Sequence, residues 1–384
     1  MTNTKPLYQI IVAWLREEIE KGALEPGDRL PTEMELAQQF GVSRITARTA
    51  VKELQNLDLV YRVRGRGTFV TDEAARKIRD RGSGRGAELS IISVVLPVSR
   101  DVQGATLTGI ESECKRWNYN VIYNNSYFDP RHERELLEQI VAGGSKGLIV
   151  YPCGEIHNLD FYCNLAAVGY PYLFIDRSVE CVSVPVVQYD NFQGEYAVVS
   201  HVIKEGHRSI AFLGDKIAQL QSERSRLAGY CQAHIDAGIA VKDRLICGLG
   251  VSEHDMYEGR SAEEIGFHRV SKAVEGLMGF APPPTCIVAV NDMIAFYASR
   301  TLQDMGLRIP QDVSLTGFDD LELVTHLPVP LTTVKQSFVE LGQIAAQLVL
   351  KKIHDKSFVM ESRMLACELV IRDSVGPPPE NGRG

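Results

Sequence analysis

From residue 91 onward, short continuous apolar runs alternate with longer amphipathic segments. A strand that is apolar on both faces must be covered on both faces, so this alternation predicts a parallel sheet with helices on each side. The roughly 280 residues of this region exceed one such sheet, and the pattern resumes near Val187, so we expect two doubly wound lobes with a cleft between them. The predicted strands are Ile91–Leu96, Asn120–Tyr123, Gly147–Tyr151, Tyr172–Ile175, Ser209–Leu213, Thr285–Val290 and Val313–Thr316.

Polar pairs follow three of these strands: Asp176-Arg177, Asn291-Asp292 and Asp319-Asp320. Sheets of this type bind ligands beyond the carboxyl ends of their strands. Carboxylates, carboxamides and an arginine fork match the neighbouring hydroxyls of a neutral polyhydroxylated ligand. The alternative is helix capping, which Asn and Asp favour where a strand meets a helix. Capping is the commoner explanation for any one pair and the weaker one for all three together.

The first seventy residues are organised differently, as three short helices followed by a hairpin. Helix one is predicted at Tyr8–Lys21, helix two after a capping box at Thr32 and Glu35, and helix three from the N-cap Ser43 through Leu57. Two apolar helices joined by one short turn that contains glycine make a helix-turn-helix.

Basic side chains gather on this segment. Arg44, Arg48 and Lys52 share one face of helix three, and the hairpin tip reads Arg64-Gly65-Arg66-Gly67. Each feature alone fits a solvated helix face or an ordinary polar turn. Together, at this spacing, they favour a winged helix-turn-helix that reads the major groove of DNA.

The charge distribution agrees with a local DNA site. The net charge is -8, which makes the chain a poor general binder of polyanions. Residues 91–384 hold 26 Lys/Arg against 36 Asp/Glu, whereas residues 1–90 hold 15 against 13. Affinity for DNA must therefore depend on where a few arginines point.

Residues 6–70 resemble the GntR-family DNA-binding domain through PLY, G-x-L-x-PG-x-x-LP-[ST]-E-x-x-LA, GVSR-x-T-x-R and G-x-GTFV. Met34 and Ile45 depart from some relatives, which use polar or basic contact residues there; Ile45 either meets a thymine methyl or packs. The resemblance implies DNA contacts at Ser43, Arg44, Thr46 and Arg48 of the recognition helix, at Arg64, Gly65 and Arg66 of the wing, and at Glu33.

Residues 91–372 resemble the effector domain of LacI/GalR-family repressors, which is similar to periplasmic sugar-binding proteins. The resemblance runs through LFIDRSV, VVQYDNFQGEYAVVSHVIKEGHRSIAFLGD, ERSRLAGY, PPPTCIVAVNDMIA, LQDMGLRIPQDVSLTGFDD and CELVIRDS. It implies effector contacts at Asp176, Arg226, Asn291 and Asp319, and lobe crossovers near Val187–Tyr189, Lys335–Phe338 and Glu368–Arg372. Many relatives place an aromatic ring in the first loop, where this chain has Gln103-Gly104, so Phe192 or Tyr257 is expected to supply a ring.

Enzyme and export signals are weak. The string G-x-S-x-G at Gly143–Gly147 precedes a strand instead of following one, so we interpret it as a loop. Cys153 and His157 have no third group to orient them. The N-terminus has no apolar signal region, no segment is long enough to span a membrane, and the eight scattered cysteines fit reduced thiols in a cytoplasm. We expect no enzyme activity, cofactor, metal or membrane partner.

The expected fold class is α/β, with a winged helix-turn-helix followed by a two-lobed, doubly wound domain. The expected boundaries are 1–71 for the DNA-binding domain, 72–90 for a flexible linker, 91–372 for effector binding and dimerisation, and 373–384 for a disordered tail. Such a chain is similar to arabinose-repressor-like regulators. It is expected to be a homodimeric repressor that a sugar releases from palindromic double-stranded operator DNA. The alternatives are a cytoplasmic sugar sensor acting through protein partners, or a regulator with a non-sugar effector or a corepressor.

Overall fold

A computed structural model describes residues 7–57, 59–63, 66–72, 90–97, 102–154, 156–179, 181–215, 217, 220–249 and 262–380. The chain divides into two compact units, Met1–Leu89 and Ser90–Gly384, and each is described by itself. Most of the predicted linker, 73–89, lies outside the described residues, as do Arg64, Gly65 and Tyr257.

The first unit consists of three helices and a two-stranded antiparallel hairpin. Its elements are α1 (Leu7–Glu20), α2 (Glu33–Phe40), α3 (Arg44–Asn56), β1 (Val60–Val63) and β2 (Gly67–Val70). Its core is built from one apolar stripe of each helix, with Leu15, Leu36 and Leu54 fully buried. This is the predicted winged helix-turn-helix.

Local capping defines the helix-turn-helix boundaries. Thr32 accepts the backbone N–H of Glu35 at 3.3 Å, while the Glu35 carboxylate accepts that of Thr32 at 2.7 Å. Gly41 ends α2 in the left-handed conformation at φ 64°, where glycine carries no side-chain penalty. Ser43 then caps α3 by accepting the N–H of Thr46 at 3.2 Å. The capping box and the start of the third helix are confirmed.

The second unit contains two parallel sheets flanked by helices. Its strands are β3 (Ile91–Leu96), β4 (Asn120–Asn125), β5 (Gly147–Val150), β6 (Tyr172–Ile175), β7 (Val186–Tyr189), β8 (Ile210–Gly214), β9 (Ile246–Gly248), β10 (Cys286–Ala289), β11 (Ser314–Thr316), β12 (Thr333–Lys335), β13 (Arg363–Leu365) and β14 (Glu368–Val370). Its helices are α4 (Val102–Arg116), α5 (Pro130–Ala142), α6 (Leu159–Ala167), α7 (Asn191–Lys204), α8 (Gln221–Asp236), α9 (Ala262–Met278), α10 (Asp292–Asp304), α11 (Glu322–Thr325) and α12 (Phe338–His354). Among these described helices, none is long and apolar enough to cross a membrane.

Sheet order separates this unit into two lobes. The N-terminal lobe has six parallel strands in the order β13-β7-β6-β5-β3-β4, and the C-terminal lobe has four in the order β11-β10-β8-β9. Strands β12 and β14 pair antiparallel as a separate two-stranded ribbon. The predicted two-lobed, doubly wound architecture is confirmed, and all seven predicted strands are present with ends shifted by at most two residues.

Helix α12 belongs to the N-terminal lobe although it follows the C-terminal lobe in the chain. It packs along α4, and the backbones approach closely because glycines meet at the crossing. A side chain at Gly109 would overlap the backbone of Val339, and one at Gly342 would overlap the backbone of Thr106. The N-terminal lobe is therefore assembled from both ends of this unit.

The segment after residue 372 corrects one prediction. We expected disorder from 373 onward, but the chain packs against the C-terminal lobe through residue 380, and only 381–384 lie outside the described residues. Ser374 is fully buried and donates to the Leu315 carbonyl at 2.6 Å, while His207 Nε2 contacts the Gly376 carbonyl at 2.8 Å. The backbone of this tail and Ser374 supply hydrogen-bond partners to the edge strand β11, which is why the segment is ordered through residue 380.

The G-x-S-x-G string lies in the loop before β5, as expected. The Ser145 hydroxyl donates to the carbonyls of Ile91 (3.2 Å) and Gly147 (3.0 Å), so it is a structural tie between neighbouring segments.

Candidate functional site

The predicted DNA-binding residues of the recognition helix lie at its N-terminal end. Arg44 and Arg48 are exposed one turn apart, while the Ser43 and Thr46 hydroxyls pair with each other at 2.8 Å. Ile45 is 77% exposed, so it does not pack into the core. Its side chain is available for an apolar contact of the kind a thymine methyl offers.

Glu33 organises this surface. Its carboxylate lies 3.7 Å from Arg44 Nε and 3.6 Å from Arg62 of β1, and its side chain is only 17% exposed. One acid at the start of α2 therefore holds an arginine of the recognition helix and an arginine of the wing on the same face. Sequence reasoning assigned Glu33 and Arg44 but missed Arg62. The signal that could have found Arg62 was its place in the predicted strand that leads into the basic hairpin tip.

A second arginine that the sequence did not assign lies against the wing. The Leu30 N–H donates to the Thr68 carbonyl at 2.8 Å, which ties the segment before α2 to β2. This pairing brings the Arg29 side chain beside Gly67, where an added Cβ would lie 2.7 Å from Arg29 Nε. Arg66 is exposed next to it, whereas the predicted contacts Arg64 and Gly65 lie outside the described residues.

In the second unit, the predicted effector residue Asp176 follows β6 at the carboxyl end of the N-terminal sheet. Its N–H donates to the Val187 carbonyl of the neighbouring strand at 2.8 Å, which holds the residue at φ 63°. Arg177 Nε lies 3.8 Å from the Asp176 carboxylate, and its guanidinium carbon is 4.6 Å from the centre of the Tyr151 ring. Asp176 does not cap a helix, so the capping alternative fails here.

Aromatic rings reach this edge from two predicted strands whose following residues the sequence analysis did not assign to a site. Tyr151 follows β5, and Phe128 follows β4 with its ring 6.1 Å from that of Tyr151. The expected ring, Phe192, instead stacks on Tyr196 of its own helix at 6.3 Å, and Tyr257 lies outside the described residues. The carboxyl edge of the N-terminal sheet thus carries rings, whereas Gln103 and Gly104, which we expected in the first loop, lie in the first turn of α4.

Arg226 is held on all sides in the C-terminal lobe. Its Nε donates to Asn191 Oδ1 at 2.8 Å, its Nη1 donates to the Val290 carbonyl, and its guanidinium carbon lies 3.7 Å from the centre of the Phe318 ring. Its Nη2 is 3.8 Å from the Asp319 carboxylate. The guanidinium is thereby fixed in one orientation beside a predicted effector acid.

Asn291 and Asp319 differ in their local roles. The Asn291 Oδ1 accepts the N–H of Ile294 at 2.8 Å and caps α10, so the capping alternative holds for this pair. Asp319 caps no helix. It has φ 120°, a conformation unfavourable for a side chain, and its N–H is held by the Val334 carbonyl at 2.7 Å.

The acids of the two lobes influence each other. Burial raises the pKa of Asp319 well above its usual range; Arg226 opposes the shift, and the charges of Asp292 and Asp176 add to it. Tyr189, at the end of β7, has its pKa raised by burial, with Asp176 and Asp319 both contributing. Geometry places both acids at the crossovers, because the Asp176 N–H is bonded to Val187 of β7 and the Asp319 N–H to Val334 of β12.

Glu195 is a buried acid that sequence reasoning missed. It lies on α7 with no exposed surface, and neither carboxyl oxygen has a hydrogen-bond partner. Burial raises its pKa to about 8, and the positive charge of Arg226 lowers it in part. A carboxyl in this position is held in its neutral form near neutral pH.

This gives a stability prediction. A carboxyl whose pKa is raised by folding contributes stability that is complete below its unfolded pKa, near 4.5, and is lost as the pH rises through about 8. Glu195 should lower the unfolding free energy of the wild type between pH 5 and pH 8 by at most about 1.4 kcal/mol per pH unit, while His207 and His234, whose pKa values burial lowers, act in the opposite direction. In urea unfolding across that range, the unfolding free energy of the wild type should therefore fall relative to that of Glu195→Gln as the pH rises.

The control is Asp312→Asn. Asp312 is a partly exposed acid whose pKa is lowered to about 2, chiefly by its hydrogen bond from Arg308. It does not titrate between pH 5 and pH 8, so its variant should keep the wild-type slope. Equal slopes for Glu195→Gln and the wild type would contradict the prediction.

Two family models match the chain. Residues 7–70 match bacterial regulatory proteins of the gntR family, and residues 199–375 match the periplasmic binding protein-like domain. These matches confirm both resemblances drawn from the sequence motifs.

Named relatives cover most of the chain. The arabinose metabolism transcriptional repressor of Geobacillus stearothermophilus is 28% identical over 374 residues, which is 96% of each chain. A probable HTH-type transcriptional regulator, EndR, of Paenibacillus polymyxa is 30% identical over 293 residues, covering 75% of this chain and 79% of that protein. The solved LacI family regulator of Enterococcus faecium with bound ribose has a TM-score of 0.63 and 25% identity, covering 75% of this chain and 99% of its own. These proteins are transcriptional regulators and not enzymes.

Proposed function

Since this chain belongs to the HTH-type transcriptional regulators that join a gntR-family DNA-binding region to a periplasmic binding protein-like domain, we propose that it is a repressor released from its operator by a sugar bound between its lobes. The observation that carries the proposal is the position of one acid from each lobe at the crossovers, with the Asp176 N–H bonded to Val187 of β7 and the Asp319 N–H bonded to Val334 of β12. The charge of Asp176 also raises the pKa of Asp319. A ligand held by both acids binds one arrangement of the lobes better than another. That differential affinity is the only means by which a ligand shifts a conformational equilibrium.

The chemistry of the cleft favours a sugar. Asp176 and Asp319 supply carboxylate or carboxyl oxygens for hydroxyl groups, and Arg226 supplies a fixed guanidinium. The faces of Tyr151 and Phe128 suit the apolar face of a sugar ring. Among the relatives, one is named for arabinose metabolism, another for the ribose operon of Haemophilus influenzae, and a solved structure holds ribose. Pentoses are therefore the first sugars to test.

The repressor acts in the cytoplasm as a homodimer on a palindromic site. Strand β4 forms an edge of the six-stranded sheet, and Ile122 and Tyr123 on it are exposed, as is Tyr127 in the loop that follows. Exposed apolar side chains along a sheet edge are suited to burial by a second copy of the chain. A dimer places two recognition helices on two half-sites related by a two-fold axis.

Gel shift with the DNA upstream of the gene and its neighbours tests the proposal. At moderate salt we expect a sequence-specific complex that one sugar dissociates, with pentoses, hexoses, disaccharides and sugar phosphates compared first by thermal shift. At 100 times its Kd a sugar adds about 2.7 kcal/mol to stability. Absence of specific DNA binding, with sugar binding retained, would favour a sensor acting through protein partners. A complex that the sugar tightens would identify a corepressor instead.

A further inference from the structure

One buried carboxylate, that of Asp292, ties together three segments of the C-terminal lobe. Asp292 is the first residue of α10 and has no exposed surface. Its Oδ1 accepts the hydroxyl of Thr333 at 2.7 Å, and its Oδ2 accepts the N–H of Leu321 at 2.8 Å. Its own N–H donates to the Phe318 carbonyl at 2.8 Å. The start of α10, the loop after β11 and the strand β12 therefore meet at one side chain.

Each of these segments leads to a different part of the cleft or the crossovers. The loop held through Leu321 carries Asp319, which faces Arg226. The start of α10 carries Asn291. Thr333 is the first residue of β12, which runs directly into α12 of the N-terminal lobe. The Asp319 N–H already joins this loop to β12 through the Val334 carbonyl, and Asp292 adds a buried side-chain link between the same loop and the strand that connects the lobes.

The hydrogen bond between Asp292 and Thr333 is tightly packed. A side chain at Gly317 would overlap Asp292 Oδ1, and Thr333 is fully buried. A buried carboxylate keeps its hydrogen bonds because losing one leaves a charged group without compensation. A displacement of the Asp319 loop must then move β12 as well, or break one of the two bonds.

Asp320, the neighbour of Asp319, attaches the same loop to the ribbon of β12 and β14 through a further hydrogen bond. Asp320 accepts from Arg372 Nη2 at 2.6 Å, and Arg372 Nη1 donates to the Leu331 carbonyl at 2.8 Å. Arg372 follows β14, the partner of β12 in the ribbon. The loop that carries Asp319 is accordingly fastened to both strands of the crossover ribbon.

We propose that Asp292 is a positioning residue that transmits effector binding at Asp319 to the lobe crossover through Thr333. It touches no ligand itself. The inference rests on the proposed function, because it concerns how the occupied cleft changes operator affinity.

Thr333→Val tests the inference, since valine keeps the shape of threonine but cannot donate to Asp292, while the bond from Leu321 remains. The readout is the ratio of operator Kd with and without saturating sugar, using arabinose and ribose as probes, or the sugar that gives the largest thermal shift in the panel above. We expect this ratio to fall by about tenfold, while operator affinity without sugar stays within about twofold. Thr333→Ser, which restores the hydroxyl, should restore the ratio.

The matched control is Thr301→Val. Thr301 is a buried threonine on α10 itself, and its hydroxyl donates to the carbonyl of Tyr297 within the same helix at 2.9 Å. Loss of the Thr301 hydroxyl should lower the melting temperature without changing the ratio of operator Kd with and without sugar. A full wild-type ratio in Thr333→Val, or no recovery in Thr333→Ser, would overturn this inference alone. A wild-type protein whose operator affinity no sugar changes would overturn the proposed function and this inference with it.

Discussion

Replacing Asp319 with alanine is expected to abolish the response to sugar while leaving operator binding intact, which yields a super-repressor. Asp319 lies 3.8 Å from Arg226 and is the acid of the C-terminal lobe on which the proposed cleft depends. Its loss removes the acceptor for a ligand hydroxyl and leaves a buried arginine without its acidic neighbour, which costs about 2–5 kcal/mol of effector affinity. Fluorescence anisotropy of labelled operator should show almost no release at the wild-type midpoint concentration of sugar, and any midpoint that is reached should be at least about 30-fold higher than that of the wild type.

Two companion variants separate chemistry from backbone strain. Asp319 has φ 120°, so alanine is strained there, whereas asparagine tolerates positive φ better and still lacks the carboxylate. Asp319→Asn should therefore fail to respond as well, with a smaller loss of melting temperature than Asp319→Ala. Asp312→Asn, at a partly exposed acid of the same lobe that is paired with Arg308, should respond normally. Normal release of DNA by either Asp319 variant would refute the assigned role.

Arg44→Ala is expected to weaken operator binding by about 1–3 kcal/mol, or roughly 5- to 150-fold, if Arg44 reads a base. Arg44 is exposed at the N-terminal end of α3, and the Glu33 carboxylate orients it at 3.7 Å. Competition with random DNA distinguishes readout from attraction to phosphate. The Arg44→Ala variant should lose more affinity for the operator than for random DNA.

Lys52→Ala provides the comparison on the same helix. Lys52 is exposed two turns further along α3, so its removal should weaken both DNAs by a similar, smaller factor and reduce the salt dependence by about one counterion. If Arg44→Ala lost the same factor of affinity for the operator and for random DNA, Arg44 would be a phosphate contact and would not read a base.

The parts of the fold that depend on local sequence were predictable. Continuous apolar runs predicted the strands β3, β6 and β10, because a buried parallel strand has no polar face. Thr32, Gly41 and Ser43 predicted helix ends, because caps act within three residues. The packed tail was not predictable, because Ser374 pairs with Leu315, a residue 59 positions away.

In the candidate site, too, features that depend on local sequence were predictable and features that depend on distant residues were not. Polar residues after strands marked Asp176 and Asp319, and the family resemblance added Arg226. Asp292 drew attention only as the neighbour of Asn291, because its partner Thr333 lies 41 residues away. Glu195 carries no motif, and its buried state depends on the close contact of α7 with α8. For Asp292 the informative fact is its hydrogen bond with Thr333, and for Glu195 it is the lack of a hydrogen-bond partner for its carboxyl oxygens. Both facts depend on contacts that exist only in the folded chain.

The position of α12 and β13 in the N-terminal lobe has a consequence for synthesis on the ribosome. The hydrophobic core of the DNA-binding unit is complete by residue 70, whereas the N-terminal lobe lacks one helix and one edge strand until residues 338–365 emerge. Domains fold as units once their chain is available. In a nascent chain, the DNA-binding unit can therefore fold while the N-terminal lobe of the second unit is still incomplete. A truncation before Phe338 should leave a chain whose DNA-binding unit folds but whose operator affinity does not respond to sugar.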